Sequence, residues 1–246
     1  MKELMIKSLG EIVNMDYRTA SVFEKYKFDF CCKGKRTLEQ ACLESGQPEE
    51  GIVKELSVIL DVPKISSGNP GNLSPTLLAE YIVTVHHAYV KKEMPRILAY
   101  LDKVVSKHGD QHPEIKKIAL LFTELSVEMD LHMNKEEYVL FPRIAKVEKQ
   151  ILSQEDSDKG IFYLKSPVMI MEQEHDHAGT IMAQIRELTN NYSVPANACT
   201  TYRLLFSCLE MFEADLHRHV HLENNLLFPK ALKLLGSVSS DSHMSN

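Results

Sequence analysis

An internal repeat constrains the fold of this chain more than any other feature of its sequence. Residues 132–142 and residues 219–229 both read H-x-x-x-E-x-x-x-L-F-P, with a separation of 219 − 132 = 87 residues. A nearly equal separation, 175 − 87 = 88 residues, relates His87 to His175, which precede the two copies. A chain that repeats a long segment in this way is typical of a fold built from two similar halves.

Hydrophobic periodicity predicts that these halves are helical. Apolar residues recur about every 3.6 positions, and only 10 glycines interrupt the chain. Four long helices, each beginning near a proline, are predicted over residues 75–108, 113–147, 167–192 and 195–235. The last helix has an open start, at Pro195 or near Thr200. The pattern therefore predicts an all-α fold, an up-down four-helix bundle.

A polar segment divides the chain into domains. Residues 61–74 are rich in Pro, Gly, Ser and Asn and are predicted to form a linker. Residues 1–60 then form a small helical N-terminal domain, and residues 75–236 form the bundle. Residues 237–246 lack apolar periodicity and are predicted to be a disordered tail.

Composition excludes several classes of function. The chain is 44% hydrophobic and 25% charged, with a net charge of -6, as in ordinary soluble proteins. Lys and Arg are interspersed with acidic residues, which argues against a nucleic-acid partner, and no apolar stretch predicts a membrane segment. The first residues do not resemble a secretory signal, and five cysteines do not form a disulfide framework. We therefore expect a cytoplasmic protein with free thiols.

The repeat places candidate metal ligands at equivalent positions of both halves. Each half has a lone histidine on its first helix and, on its second, a histidine and a glutamate four residues apart. This spacing puts both side chains on one helix face, and antiparallel neighbours bring the positions to similar levels. The predicted ligands are His87, His132, Glu136, His175, His219 and Glu223.

The chemistry of this set predicts a pair of octahedral metal ions. Four imidazoles and two carboxylates exceed the needs of a tetrahedral zinc site and suit two octahedral ions. We predict two non-haem irons bridged by carboxylates and by an oxide or hydroxide, with roughly two coordination positions open. Glu128 and Asp215 each precede a predicted ligand histidine by four residues and are predicted to accept its second ring N–H. His86, His177, His217 and His221 are interpreted as surface or outer groups, and His108, directly before Gly109, as a helix C-terminal cap.

The cysteines carry a second hypothesis. Cys31 and Cys32 are adjacent and are predicted to lie at a helix N-terminus, where thiol pKa values are lowered. They are candidates for a thiol relay that binds iron, exchanges disulfides or docks a client protein. The alternative is that they are buried structural residues, which is our interpretation of Cys42, Cys199 and Cys208.

These motifs resemble the Repair of Iron Centres family of hemerythrin-like di-iron proteins. The resemblance rests on His87 with Pro95, on the two H-x-x-x-E repeats, on the Glu174-His175-Asp176 and Ala198-Cys199-Thr200-Thr201 segments, and on residues 23–41 with their vicinal cysteines. It implies that the family's iron ligands fall on the same six positions. It also implies a stress response in which clusters damaged by oxidative or nitrosative stress are repaired, through iron donated to damaged or apo iron–sulfur proteins.

Two other functions stay open at this point. The iron pair can instead serve as a nitric oxide or nitrogen oxide reductase, which would make the protein an enzyme. It can also serve as a hemerythrin-like oxygen or iron sensor or carrier, although by family comparison oxygen-carrying hemerythrins have an additional histidine ligand. The sequence decides neither the client protein nor the electron donor, and it leaves a homodimer open.

Overall fold

Helices account for most of the described chain. The computed structural model describes residues 2–61, 70–153 and 162–238. Within these ranges no β-strand is present, and Ser8 and Thr37 form one isolated bridge. No helix in the same ranges is both long enough and apolar enough to cross a membrane. The prediction of an all-α fold is confirmed.

Short helices build the N-terminal module, residues 2–61. They are α1 (Lys2–Met5), α2 (Leu9–Met15), the 3-10 turn Tyr17–Thr19, α3 (Ala20–Lys25), α4 (Leu38–Ser45) and α5 (Glu49–Asp61). Ser8 and Thr37 begin α2 and α4 with capping boxes, in which each hydroxyl accepts a backbone N–H at the helix start. Phe23 and Phe30, both fully buried, belong to a hydrophobic core made by this module.

The four predicted long helices are present, and three of them contain a π turn. The first comprises α6 (Pro75–Ile82), the π turn Val83–His87 and α7 (Ala88–His108). The second comprises α8 (Glu114–Lys135), the π turn Glu136–Leu140 and α9 (Phe141–Leu152), and the third is α10 (Phe162–Leu188). The fourth comprises α11 (Thr200–Leu222), the π turn Glu223–Leu227 and α12 (Phe228–Val238).

Several helix boundaries differ from the prediction. Helix α10 begins five residues before Pro167, since Leu164 is fully buried and extends the apolar face. It ends at Leu188 because three consecutive residues, 190–192, have positive φ. Helix α11 begins at Thr200, after a turn in which the Ala198 N–H donates to the Pro195 carbonyl. The open boundary of the last helix is thereby decided.

Internal contacts group the chain into two compact units. The first contains residues 1–80, 144–165 and 217–246, and the second contains residues 81–143 and 166–216. In the first unit α2 packs against the π turn Glu223–Leu227, and in the second α7 packs against α8. The predicted linker falls largely on residues 62–69, which lie outside the described residues, so the domain boundaries stay a prediction. Most of the predicted tail lies outside them too, while α12 continues to Val238.

Candidate metal centre

Three of the predicted ligands stand at the edges of π turns. His87 ends the first of these turns, and Glu136 and Glu223 begin the other two. A π turn adds one residue to a helical turn and is frequent at functional sites. Each of these ligands is therefore placed by a local departure from α-helical geometry.

The L-F-P motif of the repeat gives a physical reason for two of the π turns. Pro142 and Pro229 follow these turns at the second position of α9 and α12. A proline has no N–H to donate, and its ring clashes with the carbonyl four residues earlier in a regular helix. A wider turn relieves this clash. The motif thereby shapes the turns that present Glu136 and Glu223.

Four of the predicted ligands come together in the second unit. Oε2 of Glu136 lies 3.3 Å from Nε2 of His87 and 3.3 Å from Nε2 of His132. Nε2 of His175 lies 2.9 Å from Nε2 of His132. The four side chains are between 0% and 3% exposed. Two of the imidazoles therefore direct Nε2 toward the Glu136 carboxylate, and the third directs its Nε2 toward that of His132.

The outer nitrogen of His132 is held by a carboxylate from α10. Nδ1 of His132 lies 2.8 Å from Oε2 of Glu174, and Lys135 also donates to Glu174. The hydrogen bond from His132, assisted by Lys135 against the opposing effect of burial, lowers the pKa of Glu174 to about 2. An ionised carboxylate here favours the Nδ1–H tautomer, which leaves the Nε2 lone pair available to a metal.

His87 has an equivalent arrangement. Its Nδ1 lies 2.7 Å from Oε1 of Glu137, which also accepts a hydrogen bond from Lys91 at 2.7 Å. Burial raises the pKa of Glu137, but the hydrogen bonds from Lys91 and His87 outweigh it, and the pKa lies below its ordinary value. Two candidate ligand histidines, His87 and His132, are therefore each oriented by a carboxylate that also binds a lysine.

The structure corrects the predicted outer partner of His132. Glu174, and not Glu128, contacts His132, while Glu128 lies 3.3 Å from the exposed ring of His177. Asp215 contacts Nδ1 of His86 at 2.9 Å, in the second unit. Glu128 lies on the same helix as His132. The carboxylate that contacts the His132 ring, that of Glu174, comes instead from helix α10.

Sequence reasoning missed Glu137 and Glu174. A signal for both exists, because each is the direct neighbour of a predicted ligand: Glu137 follows Glu136, and Glu174 precedes His175. Which of these neighbouring carboxylates meets an imidazole depends on how two helices are rotated about their axes. That rotation is not readable from spacing within one helix.

The remaining two predicted ligands lie together in the first unit. Nε2 of His219 is 3.0 Å from Oε1 of Glu223, and both side chains are 0% exposed. Here too the imidazole presents Nε2 to the carboxylate. His221, interpreted from the sequence as a surface or outer group, is fully buried, and burial lowers its pKa to about 4.

A cavity of about 320 Å³ in the second unit reaches two of the candidate ligands. His132 and His175 line it together with apolar side chains such as Ile170. The half-exposed His177 also lines it, so the cavity extends to the surface. It offers a small molecule or an ion access to this part of the cluster.

The vicinal cysteines occupy a turn between α3 and α4 and do not begin a helix. Oδ1 of Asp29 accepts the backbone N–H groups of Cys31 and Cys32, at 3.1 and 2.9 Å, and the two sulfur atoms are 3.9 Å apart. The hydrogen bond with Cys32, together with burial, raises the pKa of Cys31 well above its ordinary value. The predicted lowering of the pKa is therefore wrong for Cys31, and the relay stays a hypothesis.

The other cysteines differ from one another. Cys42 and Cys208 are buried, as predicted. Cys199 is partly exposed and stands directly before α11, with its sulfur 3.3 Å from Nε2 of His108. Hydrogen bonding from the backbone of Tyr202 lowers the pKa of Cys199. The prediction that Cys199 is simply buried is wrong.

Comparison with known families decides the classification. The model of the hemerythrin HHE cation-binding domain matches residues 79–231, which include all six candidate ligands. The chain belongs to the hemerythrin HHE family. A second model, ScdA_N, described as a domain of unknown function, matches residues 6–59. The predicted hemerythrin-like bundle with an N-terminal helical domain agrees with both matches.

Curated relatives match this hemerythrin-family chain over most of its length. The iron–sulfur cluster repair protein YtfE of Enterobacter sp. (strain 638) is 33% identical over 224 residues, which are 91% of this chain and 96% of that protein. YtfE of Cronobacter sakazakii (strain ATCC BAA-894) is 34% identical, over 91% and 95%. YtfE of Escherichia coli O157:H7 is 33% identical, over 91% and 96%. The predicted membership of the Repair of Iron Centres family is confirmed.

The donor set fits a metal cation. Glu136 and Glu223 are fully buried carboxylates, and a carboxylate removed from water is costly unless positive charge or hydrogen bonds compensate it. Both meet imidazole Nε2 atoms, and nitrogen with carboxylate oxygen is a ligand set suited to redox-active transition metals. The buried histidine and glutamate cluster of this cation-binding domain thus indicates metal binding.

Proposed function

We propose that this protein repairs iron–sulfur clusters damaged by oxidative or nitrosative stress, by donating iron from a pair of bound irons. The supporting observation is the buried cluster of imidazoles and carboxylates inside a hemerythrin HHE domain. The relatives named iron–sulfur cluster repair protein support the same function. The proposed iron ligands are His87, His132, Glu136, His175, His219 and Glu223.

The repeat supports a pair of metal ions. Each half of the hemerythrin domain supplies one histidine from its first helix and a His and Glu pair from its second. Glu136 and Glu223 are equivalent in the repeat and are the groups we propose as bridges. When bound, the iron pair supplies redox-active ions with coordination positions open to exchange.

The protein's own residues prepare the ligands for that role. Glu137 and Glu174 accept the Nδ1 protons of His87 and His132, which directs both Nε2 atoms toward the metal. The cavity beside His132 provides the path by which an ion or a small molecule enters or leaves. We propose that the protein is cytoplasmic and that it transfers this iron to damaged or apo iron–sulfur proteins.

The same cavity favours a second candidate function. Its volume of about 320 Å³ accommodates a diatomic molecule next to His132 and His175. Nitric oxide or dioxygen could therefore reach the irons, and the protein would then act as a nitric oxide or nitrogen oxide reductase. Repeated turnover distinguishes this enzyme from an iron donor, which is exhausted after its iron has left.

A transfer assay separates the two functions. Reduced, iron-loaded protein is mixed with an apo-ferredoxin, sulfide and a thiol, and cluster absorbance is followed alongside iron lost from the protein. The donor function predicts that cluster formation and iron loss rise together. A protein that keeps its iron while it consumes nitric oxide over many turnovers would replace the donor function with the reductase.

A further inference from the structure

The N-terminal module contacts the helix turn that carries Glu223. Asn225 lies inside this π turn, and its backbone carbonyl accepts a hydrogen bond from the Asn14 side chain at 3.2 Å. Oδ1 of Asn14 lies 3.1 Å from Nε2 of His221, and the Asn225 amide lies 3.3 Å from Nδ1 of the same ring. Asn14, His221 and Asn225 thus form a closed hydrogen-bonded set, which we call the amide clamp.

The clamp adds a donor at a carbonyl whose regular helical donor is absent. In a regular helix the carbonyl of Asn225 would accept the N–H of residue 229, but Pro229 has none. Asn14 supplies the missing donor from α2. The π turn that presents Glu223 is therefore completed by a residue of the N-terminal module.

The backbone of the N-terminal module is shaped for this contact. A side chain at Gly10 would place its Cβ 2.8 Å from Oδ1 of Asn225, so a larger residue there would force the Asn225 amide to shift. The Asn225 amide also donates to the carbonyl of Cys31 at 3.2 Å. Gly10 and the Cys31 carbonyl of the N-terminal module therefore both lie against the Asn225 side chain.

The repeat provides an internal comparison. Subtracting its offset of 87 from 221 and 225 gives Asn134 and Tyr138 in the first copy. Tyr138 is 74% exposed, whereas its counterpart Asn225 is partly buried. Asn134 is also only partly buried, whereas its counterpart His221 is fully buried. The two copies therefore share their proposed ligands and the L-F-P motif but differ at the positions that contact the N-terminal module. The difference marks the clamp as a specific addition to the second copy.

We propose that Asn14 is a positioning residue for Glu223, because it fixes the π turn from which this ligand projects. The inference rests on the proposed function of Glu223 as a metal ligand. Asn14 itself touches neither the carboxylate nor a metal. Its effect passes through the Asn225 carbonyl and the backbone of the turn.

Hydrogen exchange of the metal-free, full-length protein tests the positioning step. Asn14→Ala is compared with Glu24→Gln, since Glu24 binds Arg218 of the same helix at 2.8 Å, outside the π turn. We expect amides of residues 223–228 to exchange about threefold to tenfold faster in Asn14→Ala, as for loss of one hydrogen bond, and to be unchanged in Glu24→Gln. Unchanged exchange in Asn14→Ala, or equal acceleration in both variants, overturns the proposal.

Iron release provides the second readout. From iron-loaded, reduced protein, a ferrous chelator should remove iron several-fold faster in Asn14→Ala than in Glu24→Gln, and the Mössbauer spectrum of the loaded protein should change only in Asn14→Ala. Asn14→Asp, which keeps the acceptor for His221 but lacks the donor to Asn225, should behave like Asn14→Ala. Release rates and spectra equal to wild type contradict the positioning role. A wild-type protein that binds no iron refutes the proposed function, while the exchange result still decides the clamp.

Discussion

At the scale of single residues, the orientation of each imidazole matters as much as its presence. The candidate histidines direct Nε2 to buried carboxylates, and Glu137 and Glu174 hold the opposite nitrogens of His87 and His132. Sequence spacing predicted the His and Glu pairs because both members lie on one helix. It did not predict their outer partners, since these contacts join different helices.

The outer partner of His132 gives the first prediction. Glu174→Gln should lower iron affinity about tenfold to a hundredfold, because a neutral amide oxygen accepts the Nδ1–H of His132 less strongly than a carboxylate does. Glu128→Gln is the matched control, since Glu128 contacts His177 at the surface. Iron affinity is measured by competition with a chelator. A larger loss in Glu128→Gln than in Glu174→Gln would restore the partner predicted from the sequence.

The thiols give a prediction that requires no metal. The pKa of Cys199 is lowered, chiefly by hydrogen bonding from the Tyr202 backbone, whereas burial raises the pKa of Cys42 and Cys208. A lowered pKa means that the reactive thiolate forms at lower pH. Iodoacetamide should therefore modify Cys199 before Cys42 and Cys208, with a rate that rises at lower pH than for an ordinary thiol. Mass spectrometry measures the order, and earlier modification of Cys208 would contradict it.

At the scale of helices, the π turns are the feature that hydrophobic periodicity did not predict. Long helices were predictable, because apolar residues recur over whole segments and prolines mark their starts. The start of α10 was not predictable, because a proline favours the first position of a helix, whereas Pro167 lies inside this one. A π turn adds one residue without changing the residue types on either side, so periodicity does not reveal it. The sequence features that accompany two of the π turns are Pro142 and Pro229.

The role of proline in these turns is testable by substitution. Pro229→Ala restores an N–H and permits a regular helix at this turn, so the metal-free protein should gain on the order of 1 kcal/mol or more of unfolding free energy. The turn should relax toward a regular helix and shift Glu223, which lowers iron content. Thermal unfolding and metal analysis measure the two effects. Pro95→Ala is the control, since Pro95 lies inside α7, away from any π turn. Iron loss in Pro95→Ala alone would contradict this explanation.

At the scale of the whole molecule, metal binding should contribute to stability. Glu136 and Glu223 are buried carboxylates, and a bound cation supplies charge that the metal-free protein must replace with hydrogen bonds or protonation. Iron loading at about a hundred times its dissociation constant should add about 2.7 kcal/mol to the free energy of unfolding. Calorimetry of loaded and chelator-treated protein measures the shift. Equal melting temperatures would argue against a metal bound by the folded state.

The central claim is that six side chains bind a pair of irons, and metal analysis with Mössbauer spectroscopy tests it most directly. Protein from iron-replete cells should contain about two irons per chain in a coupled site. Glu136→Ala and Glu223→Ala should each lose most of this iron, whereas His177→Ala, which changes only the half-exposed cavity edge, should keep it. Equal iron loss in all three variants, or a wild-type protein without paired irons, would contradict the account.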